Sequence, residues 1–123
     1  MTAEHLSLGA EGEARAAAYL RRRGYRIVAS NVRAGGVEID LIVRRGALIA
    51  FVEVKTRRSR AQGPPELAVD ARKQARLLRG AAAWLQSRPQ RAREVRFDVI
   101  ACELRDGGRW RVRHLEAAFD AEP

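Results

Sequence analysis

Asp40, Glu53 and Lys55 are the side chains of this sequence whose types and spacing could do chemistry together. Glu53 and Lys55 stand two apart, so on an extended strand they share one face. Asp40 lies thirteen residues upstream of Glu53, a distance that a hairpin folds back on itself. Two carboxylates on adjacent strands are hard oxygen ligands suited to Mg²⁺ or Mn²⁺, ions that keep several of their own waters. An ion held so polarises a phosphoryl oxygen and activates a coordinated water. The Lys55 ammonium could orient or deprotonate that water, or steady charge on the phosphorus in the transition state. The plainer reading is a solvated strand face, because Glu-x-Lys alone is common on exposed strands.

Composition sharpens the choice. Lysine and arginine together number 24, yet lysine occurs only at Lys55 and Lys73. The remaining lysines therefore mark positions where a compact ammonium differs usefully from a permanently charged guanidinium fork. Lys73 reads either as a phosphate contact beside the site or as an exposed helix charge.

The elements that must position these groups follow from periodicity. A helix is expected over Ser7 to Arg23, capped by Gly24. Leu6, Ala10, Ala17 and Leu20 form its apolar stripe, and Glu13 falls on the same line. An acid there is an anomaly, consistent with a further ligand or a holder of metal-bound water. Tyr25 to Ala29 reads as a strand and Asn31 to Gly36 as a turn. Val37–Arg44 and Ala47–Lys55 form a hairpin across Arg45-Gly46. In that register Val37, Ile39, Leu41 and Val43 face Val54, Val52, Ala50 and Leu48 on one side. Asp40 then opposes Phe51 and lies diagonal to Glu53.

A second helix is predicted over Glu66 to Gln86, with Asp70 able to cap its main segment and Leu78, Ala81 and Leu85 as its apolar line. Strands are expected at Glu94–Cys102 and Trp110–Leu115. The order αβββαββ defines an α/β domain with a mixed sheet. Trp84, Trp110, Phe97 and Tyr25 read as core. His5 and His114 show no ligand spacing, and Asp98 reads as structural beside Arg96. Glu38 shares the carboxylate face and could equally pair with Lys55 or an arginine.

At 123 residues the chain suits one domain, 1–123, with its core at about 8–115. A net charge of +9 favours a polyanionic partner, nucleic acid foremost. Arg57, Arg58 and Arg60 follow the Glu53–Lys55 strand, where a phosphate backbone would pass. One cysteine, Cys102, makes neither an internal disulfide nor a thiolate metal site. No apolar run approaches a membrane span and no signal core is evident, so a cytoplasmic protein without a membrane partner is expected.

Asp40…Glu53-Val54-Lys55 on a hairpin resembles the PD-(D/E)XK signature of restriction-endonuclease-like nucleases. Glu13 in the preceding helix is similar to the extra acid of the Holliday-junction-resolvase branch. More closely, the chain resembles the small bacterial YraN-like family. The matching segments include Gly12-Glu13, Glu38-Ile39-Asp40-Leu41-Ile42, Phe51-Val52-Glu53-Val54-Lys55-Thr56-Arg57, Lys73 and Arg96-Phe97-Asp98-Val99-Ile100, within residues 8–102. The family usually carries Gly where this chain has Val37. The resemblance implies an αβββαβ core and Mg²⁺ or Mn²⁺ held by Asp40, Glu53 and the backbone carbonyl of Val54. It further implies hydrolysis of structured or branched DNA, with Lys55 and Glu13 assisting, and leaves room for a homodimer. Two alternatives stay open: a module that binds nucleic acid without cutting it, and RNA as the substrate.

Overall fold

Residues of alternating parity along the central strands bury two different apolar faces, and a helix covers each. The structure is a computed structural model that describes residues 6–58 and 69–119. Its elements are α1 (Leu8–Arg22), β1 (Arg26–Ala34), β2 (Val37–Arg45), β3 (Leu48–Arg57), α2 (Ala71–Ser87), β4 (Glu94–Leu104) and β5 (Trp110–Phe119). The five strands lie in sequence order in one sheet, with β3 and β4 parallel and every other pair antiparallel. A parallel pair needs a long crossover, and α2 supplies it. This is the restriction-endonuclease-like α/β core expected from the sequence. None of the described helices is long and apolar enough to cross a membrane.

The α1 face is built from Ala16 and Leu20 against Leu41, Val43, Ala50, Val52, Ile100 and Cys102. The α2 face sets Ala81 and Trp84 against Ile39, Ile42, Ile49, Phe51 and Phe97. Ser7 caps α1 by accepting from the Ala10 N–H, and Asp70 caps α2 by accepting from the Lys73 N–H at 2.9 Å. Asp70 thus begins the helix as foreseen; the predicted start at Glu66 lies outside the described residues.

Four expectations need correction. The hairpin loop is Gly46-Ala47, so Arg45 pairs with Leu48 and Leu41 with Val52. Gly46 sits at φ 60°, the conformation a two-residue primed turn wants at its first loop position, where glycine carries no steric penalty. Moving the loop by one residue shifts the register by two, which leaves every side chain on its own face. Asp40 and Glu53 lie just beyond the last pair of this register, Leu41↔Val52. Second, Val37 and Ile39 do not join the other apolar hairpin residues. They pack toward α2, because β2–β3 pairing ends at Leu41↔Val52 and the strands part there.

Third, β1 runs on to Ala34 where a turn was expected, and only Gly35-Gly36, both at positive φ, make the turn. Fourth, the buried stripes are rotated. In α1 it is Gly12, Ala16 and Leu20, with Glu13 beside it and Leu6 exposed; in α2 it is Leu77, Gly80, Ala81 and Trp84. The reason is shared: a glycine adds nothing to an apolar count, yet it lets backbones approach closely. A Cβ on Gly12 would lie 1.9 Å from Thr56 Oγ1, and one on Gly80 would lie 3.1 Å from Val37 Cβ. Val37 is thus a buried wedge seated against Gly80.

Candidate active site

Where β2 and β3 part, the Asp40 carboxylate takes over the pairing: its Oδ2 accepts from the Val54 N–H at 2.8 Å. A strand residue turns its N–H and C=O to the same edge, so the Val54 carbonyl also faces β2. Glu53 and Lys55 project from β3 on the α2 side, and the first turn of α2 closes over them. Lys73 Nζ donates to Glu53 Oε2 at 2.5 Å, while Lys55 Nζ lies 3.6 Å from the same oxygen. Val37, Glu38, Asp40, Glu53, Lys73, Arg76 and Leu77 line an open cleft of about 240 Å³. Gln74 anchors this end of α2 by donating to the Val69 carbonyl.

The electrostatics are strained in a useful way. Burial, and then the neighbouring Glu53 charge, push the Asp40 carboxyl up to about 7, against the single backbone hydrogen bond that favours its ionised form. Burial and then the adjacent Lys73 lower the Lys55 ammonium from its ordinary range. Lys73 moves the other way. Burial works against its charge, but the hydrogen bond and charge of Glu53 prevail and raise it.

The fold therefore brings Asp40, Glu53, Lys55 and Lys73 to one point. Glu13 is not in that cleft. It lines a separate hollow on the α1 side with Ala10, Arg21, Ser30 and Asn31, although its charge contributes to raising Asp40. Among the described residues no three acidic, histidine or cysteine side chains converge as a ligand cluster. Arg58 is exposed, Arg57 is buried beside its β4 partner Glu103, and Arg60 lies outside the described residues. Arg76, one turn beyond Lys73 on the cleft wall, is a further cation of the site, and its i,i+3 spacing from Lys73 is the sequence signal that could have found it.

The donor set fits a divalent ion. Both carboxylates and the carbonyl are hard oxygens, and Asp40 has one hydrogen bond and a like charge where a cation would relieve it. Cys102 is fully buried, with its Sγ donating to the Gly12 carbonyl, and burial pushes its thiol up to about 11, away from the thiolate form a nucleophile needs.

A second charged group lies on the α1 face, built around one acid. Asp98 is buried and accepts from Arg96 Nε at 2.8 Å, from the Ala117 N–H at 3.0 Å, and meets His114 Nε2 at 2.7 Å. Burial alone would raise its carboxyl, but the hydrogen bonds from His114, Arg96 and Ala117 together hold it below the ordinary range. Arg96 also donates to Tyr25 Oη at 2.6 Å. The structural reading of Asp98 stands, and His114 proves to be one of its anchors.

A mixed sheet between two helices, with paired acids and lysines where β2 leaves β3, defines a restriction-endonuclease-like protein. Residues 12–102 match the family model described as uncharacterised protein family UPF0102. The chain is 47% identical over 115 residues to a UPF0102 protein of Trichlorobacter lovleyi, covering 93% of this chain and 91% of that one. It is 44% identical over 122 residues to one of Syntrophotalea carbinolica, covering 99% and 98%. A third, from Symbiobacterium thermophilum, is 46% identical over 114 residues, covering 93% and 97%. The chain belongs to the UPF0102 family, the YraN-like group its motifs resemble.

Proposed function

We propose that this protein is a metal-dependent endonuclease that hydrolyses phosphodiester bonds of DNA, with structured or branched DNA as the preferred substrate. The observation that carries this reading is the meeting of Asp40, Glu53 and the Lys73 ammonium in one open cleft, with the Lys55 ammonium beside the same Glu53 oxygen. Asp40, Glu53 and the Val54 carbonyl would hold Mg²⁺ or Mn²⁺, which supplies Lewis acidity toward the phosphoryl oxygen. Lys55, whose ammonium burial makes easier to deprotonate, takes the proton of the attacking water once it is the neutral amine, or, still charged, steadies the charge that develops on the phosphate oxygens. Glu13 acts through its charge on Asp40. Lys73 and Arg76 present positive charge to the incoming phosphate, and Arg58 at the end of β3 extends that surface. Residues 1–123 act as one domain in the cytoplasm, and a homodimer would suit cutting of two strands.

Incubation with branched and linear DNA in Mg²⁺ or Mn²⁺ tests the reading. Metal-dependent cleavage is expected, and it should vanish in Asp40→Ala. Cleavage that survives that substitution would rule out the site. A competition between DNA and RNA of one sequence decides the sugar.

One observation favours a second reading. Glu53 already has a cation, Lys73, so the cleft is partly neutralised without any metal. A non-catalytic nucleic-acid-binding module built this way would bind in a salt-sensitive manner, indifferent both to metal and to Lys55→Ala.

A further inference from the structure

We propose that Lys73 is a displaceable counter-ion: its ammonium occupies the carboxylate cleft until a divalent ion enters, then turns to the substrate phosphate. The inference rests on the metal-site reading above and concerns how that site is filled. Glu53 Oε2 accepts from Lys73 Nζ at 2.5 Å, while Lys55 Nζ stands 3.6 Å away, an ion-pair distance beyond hydrogen-bond reach. A dication ligated by Glu53 would stand beside the ammonium already hydrogen-bonded to Oε2, and like charges that close in a half-buried cleft repel. That repulsion selects which ammonium leaves. A dication drawn in between Asp40 and Glu53 enters the cleft that Lys73 lines and Lys55 does not.

Lys73 is also placed to move. It sits on the first turn of α2, about a third of its side chain is exposed, and four rotatable bonds carry its charge. Its position is electrostatically awkward for the helix. Beyond the Asp70 cap the first turn of α2 contains no acid, and a cation at Lys73 opposes the positive end of the helix dipole. Glu53 offsets that conflict only while it is available, and once it ligates metal the ammonium has an anionic phosphate as its natural partner. The same contact therefore eases the repulsion between the two acids in the metal-free protein and supplies a phosphate ligand in the loaded one.

Mn²⁺ titration calorimetry on EDTA-stripped protein at low salt tests this with four chains: the wild type, K73Q, K73R and D40N. K73Q, which removes the resident charge, is expected to bind Mn²⁺ about tenfold tighter or more, while K73R stays within about threefold of the wild type. K73Q should nevertheless cleave DNA more slowly, because the phosphate contact is gone. D40N should bind no Mn²⁺. If K73Q binds no tighter than the wild type while D40N abolishes binding, the displacement fails and the metal site stands. If K73R tightens binding as much as K73Q, charge is not the cause and the displacement fails as well. If D40N binds like the wild type, the metal-site reading itself fails.

Discussion

Asp98 and Asp40 are both carboxylates withdrawn from water on the same sheet, and the fold treats them oppositely. Asp98 faces α1 and is satisfied from three directions by Arg96, His114 and the Ala117 N–H. Its charge is stabilised and its carboxyl lies below the ordinary range. Asp40 faces α2, receives the Val54 N–H, and looks across at a second acid. Its charge is penalised and its carboxyl is pushed up to about 7. Withdrawal from water does not by itself set an acid's purpose. A saturated acid fastens strands together, here pinning the irregular end of β5, where Ala117 takes a positive φ. An acid left short of partners retains binding capacity for something that arrives later.

The strongest attack on that contrast is Asp98→Ala. It leaves Arg96 and His114 without their shared anion, and a loss of about 3–5 kcal/mol in urea unfolding is expected. Asp40→Ala should cost far less than this, and equal losses would erase the distinction between the two acids.

The pH response separates them by sign. Asp40 has a folded value of about 7 against an ordinary 3.8, so the folded state holds its proton longer than the unfolded chain does. Its ionisation therefore costs stability progressively as pH rises from about 4 to 7. In EDTA, Asp40→Asn should remove that slope and leave the protein about 2–4 kcal/mol more stable than the wild type at pH 8, as measured by urea unfolding. Asp98 is lowered, so its contribution is present above the unfolded value of 3.8 and is lost as pH falls below it. A wild-type profile that rises steadily from pH 4 to 8, unchanged by Asp40→Asn, would remove the basis for a strained acid.

The smallest effect probes how closely the two faces are joined. Gly12→Ala forces a methyl into Thr56, one residue after Lys55, and should cost about 1–3 kcal/mol. Thr56→Ala in the same chain should recover part of the loss. Full additivity of the two changes would mean that α1 does not bear on the strand carrying Glu53 and Lys55.

Much of this was legible in the sequence because it depends on local pattern. The alternation along β2 and β3 gave the hairpin and put Glu53 and Lys55 on one face, and scarcity of lysine singled out Lys55 and Lys73. The errors arose where contact between distant segments decides. Gly12 and Gly80 carry the closest helix–sheet approaches but have no side chain to enter a periodicity count, so both helical stripes were read off-centre. The parting of β2 from β3 at Leu41, which frees Asp40 to accept from Val54, leaves no mark in composition. Nor does sequence spacing reveal that Lys73 would reach back to Glu53, a pairing made only when α2 folds over the sheet. His114 looked incidental because its partner Asp98 reaches it across a strand pair rather than along the chain.

The most direct test is the anomalous diffraction of a Mn²⁺-soaked crystal. The account predicts one peak between the Asp40 and Glu53 carboxylates, beside the Val54 carbonyl, with the Lys73 ammonium withdrawn from Glu53. A saturating soak that leaves the Lys73–Glu53 pair intact and this position empty would contradict it.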